Sequence, residues 1–254
     1  MKITKLNKVV FSPTGGTQKA ADALGEGLGW EKEEIDISVE AHSREFGSDE
    51  LVMFAVPSYG GRVPELAVQR IKELRGSHTP AVLIVSYGNR AYDDTLLELR
   101  QTVEDAGFIA VAAAAAVTEH SIMHQYGTGR PDMADQEELK KFGSEIRRRL
   151  DQMEVPVSVE VPGNTEYREY KGVPLKPSAD RKKCTECGLC ASRCPAQAIP
   201  AGNPSETDTK KCISCMRCIS ICPQHARSLN KIMLAAASQS LKKACSGHKK
   251  NEFF

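Results

Sequence analysis

No cysteine precedes Cys184, and all nine of the chain's cysteines fall between it and Cys245. A disulfide-stapled secreted scaffold would be short and cysteine-dense throughout, so that class is excluded. Long apolar runs are also missing: the longest, Phe108–Val117, is rich in alanine and too short to span a bilayer. The opening MKITKLNKVVFSPTGG has no long apolar core or small-residue cleavage site and does not read as a signal peptide. With a formal net charge of +1, nothing draws the whole chain to nucleic acid or anionic membrane. The expectation is a cytoplasmic protein with neither as a partner.

The charge that is present is unevenly placed. Residues 181–254 carry 13 Lys+Arg against 4 Asp+Glu, leaving 21 basic and 29 acidic residues for the rest. A polar stretch with Pro156, Pro162, Pro174 and Pro177 separates the two regions and reads as an extended linker. This predicts a domain over 1–153, a linker over 154–174, a cysteine-rich domain over 175–232 and a basic segment over 233–254.

Residues 1–153 alternate strand and helix patterns. Apolar runs at Val9–Phe11, Leu51–Val56, Ala81–Ser86 and Phe108–Val117, with alternation through Ile35, Ile37 and Val39, read as five strands. Helical stripes follow Gly16, Pro64, Asp93 and Asp135. The fold class is α/β, a doubly wound five-stranded parallel sheet, followed by a small α+β domain. The Gly25-x-Gly27-x-Gly29 run follows no strand and reads as a helix terminus.

Ligands of such sheets bind beyond the strands' carboxyl ends. There, Ser12, Thr14, Gly15, Gly16, Thr17 and Gln18 run from a strand into a helix, a setting that suits a phosphate monoester. No Gly-Lys-Ser/Thr follows, so this is not a nucleoside-triphosphate loop. Two further loops, Pro57-Ser58-Tyr59-Gly60-Gly61-Arg62 and Ser86-Tyr87-Gly88-Asn89 through Tyr92 and Asp93, combine glycine and tyrosine. They suit a flat ring lying on backbone amides and stacked on an aromatic side chain. After the fifth strand, His120 and His124 are spaced for a metal on a helix, but no third ligand accompanies them.

The cysteines form one ladder written twice: Cys184, Cys187, Cys190, Cys194-Pro195, then Cys212, Cys215, Cys218, Cys222-Pro223. Zinc also takes paired CxxC ligands, but it gives no use for a third cysteine and a Cys-Pro in each repeat. The pattern points to two [4Fe–4S] clusters, with each Cys-Pro cysteine ligating the cluster of the other repeat. One set is then Cys184, Cys187, Cys190 and Cys222, the other Cys212, Cys215, Cys218 and Cys194. Cys245 is left over as a non-ligand thiol.

The Ser12-x-Thr14-Gly15-x-Thr17 turn and the two glycine/tyrosine loops resemble flavodoxins over residues 1–153, with Gly16 where many flavodoxins place asparagine. The resemblance implies FMN, its phosphate on Ser12–Gln18, its ring on Ser58–Arg62, and Asn89 and Tyr92 on the ring's other side, Tyr92 as the stacking residue. Residues 175–232 resemble bacterial two-cluster ferredoxins, and the whole chain resembles the EFR-type flavodoxin–ferredoxin fusions of anaerobes.

The function expected is an intracellular electron carrier joining FMN and two clusters to redox donor and acceptor proteins, since no nucleophile or acid/base pair is evident. The alternative is an FMN-dependent reductase of a small substrate, with Ser121–Tyr126 and Arg130 shaping its pocket. In a third reading only the cluster domain works and FMN is not bound. Opposite charges predict electrostatic docking of the two domains, against a reading of Lys242, Lys243, Lys249 and Lys250 as a solvated tail.

Overall fold

The computed structural model describes residues 1–254. Its elements, in chain order, are β1 (Lys5–Val10), α1 (Gly16–Leu28), β2 (Lys32–Asp36), β3 (Arg44–Phe46), β4 (Glu50–Pro57), α2 (Glu65–Ile71), β5 (Leu74–Gly76), β6 (Thr79–Tyr87), α3 (Thr95–Asp105), β7 (Phe108–Val117) and α4 (Met133–Gln152). The cysteine-rich part adds β8 (Ser178–Ala179), α5 (Leu189–Ser192), α6 (Arg217–Ser220) and β9 (Arg227–Ser228), and α7 (Lys231–Cys245) and β10 (Glu252–Phe253) follow.

The main sheet has the order β10-β7-β6-β4-β1-β2. The strands from β7 across to β2 are parallel, in the doubly wound order whose crevice lies over β1, β4 and β6. Buried parallel strands need apolar residues on both faces, and these alternate between two cores. Val52, Phe54 and Val56 face the α2/α3 side, while Leu51, Met53 and Ala55 face α1 and α4. The glycine run is not a helix end alone. Gly29 caps α1 with φ 70°, but Gly25 and Gly27 lie inside the helix. A Cβ on Gly27 would stand 1.9 Å from the Lys140 carbonyl oxygen, and one on Gly143 2.3 Å from that of Leu24. These glycines let α1 and α4 touch backbone to backbone.

Two expectations change. The sheet has a sixth strand: β10 pairs antiparallel with β7 through Glu252↔Ala115 and Phe253↔Ala114. The end of the basic segment is thus docked, while Lys242, Lys243 and Lys250 stay exposed to solvent. Phe253 packs on Phe142 at 4.6 Å, and Asn251 accepts from the Val117 N–H (3.0 Å) while donating to Asp135 (3.0 Å) and Glu138 (2.8 Å). Cys245 is fully buried. The linker, though extended, is a packed strap. Val159 donates to the Ala110 carbonyl (2.7 Å), Val159 and Val161 pack on the core, and Arg62 lies over the Tyr167 ring at 4.6 Å.

Candidate functional site

The cradle after β1 is an open helix N-terminus. Gly15 takes φ 89°, no side chain caps α1, and the N–H groups of Thr14, Gly15, Gly16 and Thr17 reach no protein acceptor. Four free amides on the positive end of a helix dipole fit a phosphate dianion. Ser12 Oγ accepts from the Gln18 N–H at 3.0 Å and braces the turn. The Gln18 side chain turns away, to Asp22 (3.1 Å) and Glu34 (2.8 Å). Thr17 Oγ1 bonds Ser86 Oγ at 2.7 Å, so this pair ties the β1 loop to the β6 loop.

In the β4 loop, after Pro57, Ser58 donates to the Ser86 carbonyl (2.7 Å), and Tyr59 and Arg62 exchange backbone bonds around Gly60 and Gly61. Those glycines take φ 62° and 89°, where a side chain is strained. Arg62 is engaged within the chain: besides lying over Tyr167, it grips Glu98 through Nε (2.8 Å) and Nη2 (2.7 Å), and Glu98 also accepts from the Val63 N–H (2.8 Å).

The β6 loop corrects the expected ring contacts. Tyr87 and Tyr92 are buried against each other at 5.3 Å, their hydroxyls donating to the Lys250 carbonyl (3.2 Å) and Glu252 (2.8 Å). Burial raises both phenols, Tyr87 to about 12. Tyr92 therefore offers no free face for stacking. The Asn89 amide donates to the carbonyls of Cys245 (2.6 Å) and Gly247 (2.9 Å), and Asp93 pairs with Arg90 and Arg168. These residues hold the tail and the strap. A Cβ on Gly88 would lie 2.7 Å from the His120 ring, so Gly88 and His120 form one wall.

His120 Nδ1 accepts from the N–H groups of Ile122 (3.2 Å) and Met123 (3.3 Å). Burial, then His124 and Arg90, push its pKa down to about 4. His124 pairs instead with Glu119 at 2.7 Å, so the two histidines serve separate partners. The residues expected to shape a substrate pocket are engaged too: Tyr126 donates to the Ser238 carbonyl (2.9 Å), and Arg130 grips Asp135 (2.8 Å) and the Lys249 carbonyl (2.6 Å). Thr118, which sequence reasoning missed, lies against the cradle, 3.4 Å from where a Gly16 Cβ would be.

The cysteines gather around two small cavities. One is lined by Cys184, Cys187, Cys190 and Cys222, the other by Cys194, Cys212, Cys215 and Cys218. The crossing of Cys194 and Cys222 follows from a local two-fold in which each feature of the first repeat recurs at the matching position of the second. Asp180 N–H bonds Ala226 O (2.8 Å) and Asp208 N–H bonds Ala198 O (2.7 Å). Ala198 and Ala226 each donate to the Cys-Pro sulfur, Cys194 or Cys222, at 3.3 Å. Glu186 and Ser214 both take φ 55°. The sequence signal for this symmetry is the shared Asp-x-Lys-Lys-Cys start at Asp180 and Asp208. Four sulfurs per set, three from one loop and the Cys-Pro cysteine of the other repeat, fit the ligand pattern of a cubane.

The two cavities differ in setting. Cys187 is exposed at the first. The second is inner: burial pushes the Cys215 thiol up to about 12 and Cys218 up to about 11. It abuts the β4 loop. Ile213 packs on the sheet's core, Arg70 donates to the Pro195 carbonyl (2.8 Å), and Lys176 to the Cys212 carbonyl (2.6 Å). The Tyr59 phenol is raised by burial first, then by Cys215, Tyr170 and Cys212. One ion pair joins the two domains, Arg217–Asp36 at 3.9 Å, so apolar packing and hydrogen bonds, more than charge, hold them.

Residues 176–223, which contain all eight ladder cysteines, match the 4Fe-4S dicluster domain family. No curated protein matches the chain. Among solved structures it is similar to a flavodoxin from the domain Archaea (13% identity, 58% of this chain, 99% of that one, TM-score 0.39). It is likewise similar to Streptococcus pneumoniae TIGR4 flavodoxin (17%, 57%, 99%, 0.39). A third is rubredoxin oxygen:oxidoreductase from Desulfovibrio gigas (17%, 59%, 36%, 0.39). No helix is long and apolar enough to cross a membrane. The chain thus joins a doubly wound parallel α/β sheet, with an open helix N-terminus at its strand ends, to a 4Fe-4S dicluster domain over residues 176–223.

Proposed function

We propose that the chain carries electrons between redox proteins along an ordered line: strand-end cradle, inner cavity, outer cavity. When bound, FMN supplies two-electron or single-electron chemistry and each [4Fe–4S] cluster supplies one-electron transfer. The observation that carries this reading is the seat of the inner cysteines on the ring-side loop: Ile213 on the sheet's core, and Tyr59 beside Cys212 and Cys215. Thr14–Thr17 hold the phosphate through backbone amides, while Gly60 and Gly61 are covered by Tyr170, Asp93 and Arg168 of the chain itself. The strap and tail fix the distance between domains, and the exposed edge at Cys187 faces an outside partner.

The test is anaerobic purification with analysis of iron, sulfide and released flavin, followed by photoreduction. Eight iron, eight sulfide and one FMN per chain are expected. Reoxidation should be fast with ferredoxin-type protein acceptors and slow with small organic ones. A chain holding zinc without sulfide, or one reoxidised as fast by small acceptors as by proteins, overturns the reading.

A further inference from the structure

The local two-fold that relates the cysteine ladders is broken at one buried position. Ile199 follows the cluster loop of the first repeat, and its counterpart in the second is Arg227. Both are buried, at 5% and 3% exposure. Arg227 lines the outer cavity, and its guanidinium reaches across to the wall of the inner one. Nη1 donates to Thr207 Oγ1 (2.8 Å), and Nη2 donates to the carbonyls of Glu206 (2.9 Å) and Pro204. Nε has no partner, and no carboxylate pairs with the group.

A buried cation is costly unless an opposite charge offsets it, and the protein offers Arg227 none. The groups the two cavities suit would supply that charge. A cubane in its oxidised form with four thiolates carries a net charge of about −2. The guanidinium borders both cysteine sets, lining the outer cavity and bonding Thr207 on the wall of the inner one.

We propose that Arg227 is a shared counter-charge for the two clusters, holding both reduction potentials up and offsetting the charge each gains on reduction. The inference rests on the reading of both cavities as cluster sites, which iron and sulfide analysis of the native chain tests separately.

The experiment is an anaerobic potentiometric titration of the full-length, cluster-loaded chain, read by EPR and visible absorbance, comparing native protein with Arg227→Gln, Arg227→Lys and Thr207→Val. In Arg227→Gln both cluster equilibria should move at least tenfold toward the oxidised form, ~59 mV for a one-electron couple, with the flavin potentials unmoved. Arg227→Lys should keep both potentials within threefold of native. Thr207→Val, which keeps the charge and loses one hydrogen bond, should leave them in place. If Arg227→Gln does not load clusters, the lysine variant decides, and loading with native potentials upholds the proposal. No shift, a shift confined to one cluster, an equal shift in Thr207→Val, or failure of the lysine variant to load overturns it.

Discussion

The two halves of this chain are held together by different physics. The sheet half buries two apolar clusters of 26 and 21 residues, one on each face. The cluster half has two-residue strands, four-residue helices and few fully buried apolar side chains, among them Leu175, Ala198, Ile199, Met216 and Ala226. Apolar burial at about 25 cal/mol per Å² sustains the first. The second is too small for that, and ligation has to supply its stability.

The sharpest way to break the comparison is to remove the metal. Chelation under reducing conditions should unfold residues 175–230 while the sheet half keeps its amide-exchange protection, because structural metal contributes on the order of 10 kcal/mol. Equal protection in both halves after chelation would mean that the cysteine-rich part has a sufficient core of its own.

Next in size is a pH effect confined to the sheet half. The folded His120 pKa, near 4, lies below the ordinary value of 6.5. Between those values the unfolded chain binds the proton and the folded chain does not, so stability falls as pH drops from about 6.5 to 4, by at most about 3 kcal/mol. Urea titrations across that range should show the slope, and His120→Gln should flatten it.

Glycine substitutions sharpen the contrast in packing. Gly27→Ala forces a Cβ onto the Lys140 carbonyl and should cost about 2 kcal/mol in unfolding free energy by urea titration, whereas Gly202→Ala, in open space in the cluster half, should be neutral. The smallest effect concerns salt. With a single 3.9 Å ion pair between domains, flavin-to-cluster transfer followed by stopped flow should change less than twofold from low to high ionic strength. A steep decline would restore electrostatic docking.

What can be read in advance follows the same divide. Ligation leaves a literal record: cysteine type and spacing mark the residues that line both cavities. The parallel strands are legible from apolar runs, and Phe108–Val117 has the predicted bounds. Contacts between distant segments leave no such record. Nothing periodic in His248–Phe254 tells that it closes a sheet edge, and Tyr92 in a glycine-rich loop reads alike whether it faces a ligand or Glu252. Gly27 is misread from sequence because a glycine that ends a helix and one that admits a second helix look the same until Lys140 is in place.

The position of β10 after the cluster segment has a consequence for biosynthesis. The ribosome makes both cysteine ladders before it makes the strand that completes the edge beside β7, so the iron–sulfur unit is topologically a long insertion within the sheet domain. Anchored at both of its ends, it has no single hinge on which to swing, and a fragment cut at residue 153 would expose a bare row of β7 amides and carbonyls, a surface prone to self-association.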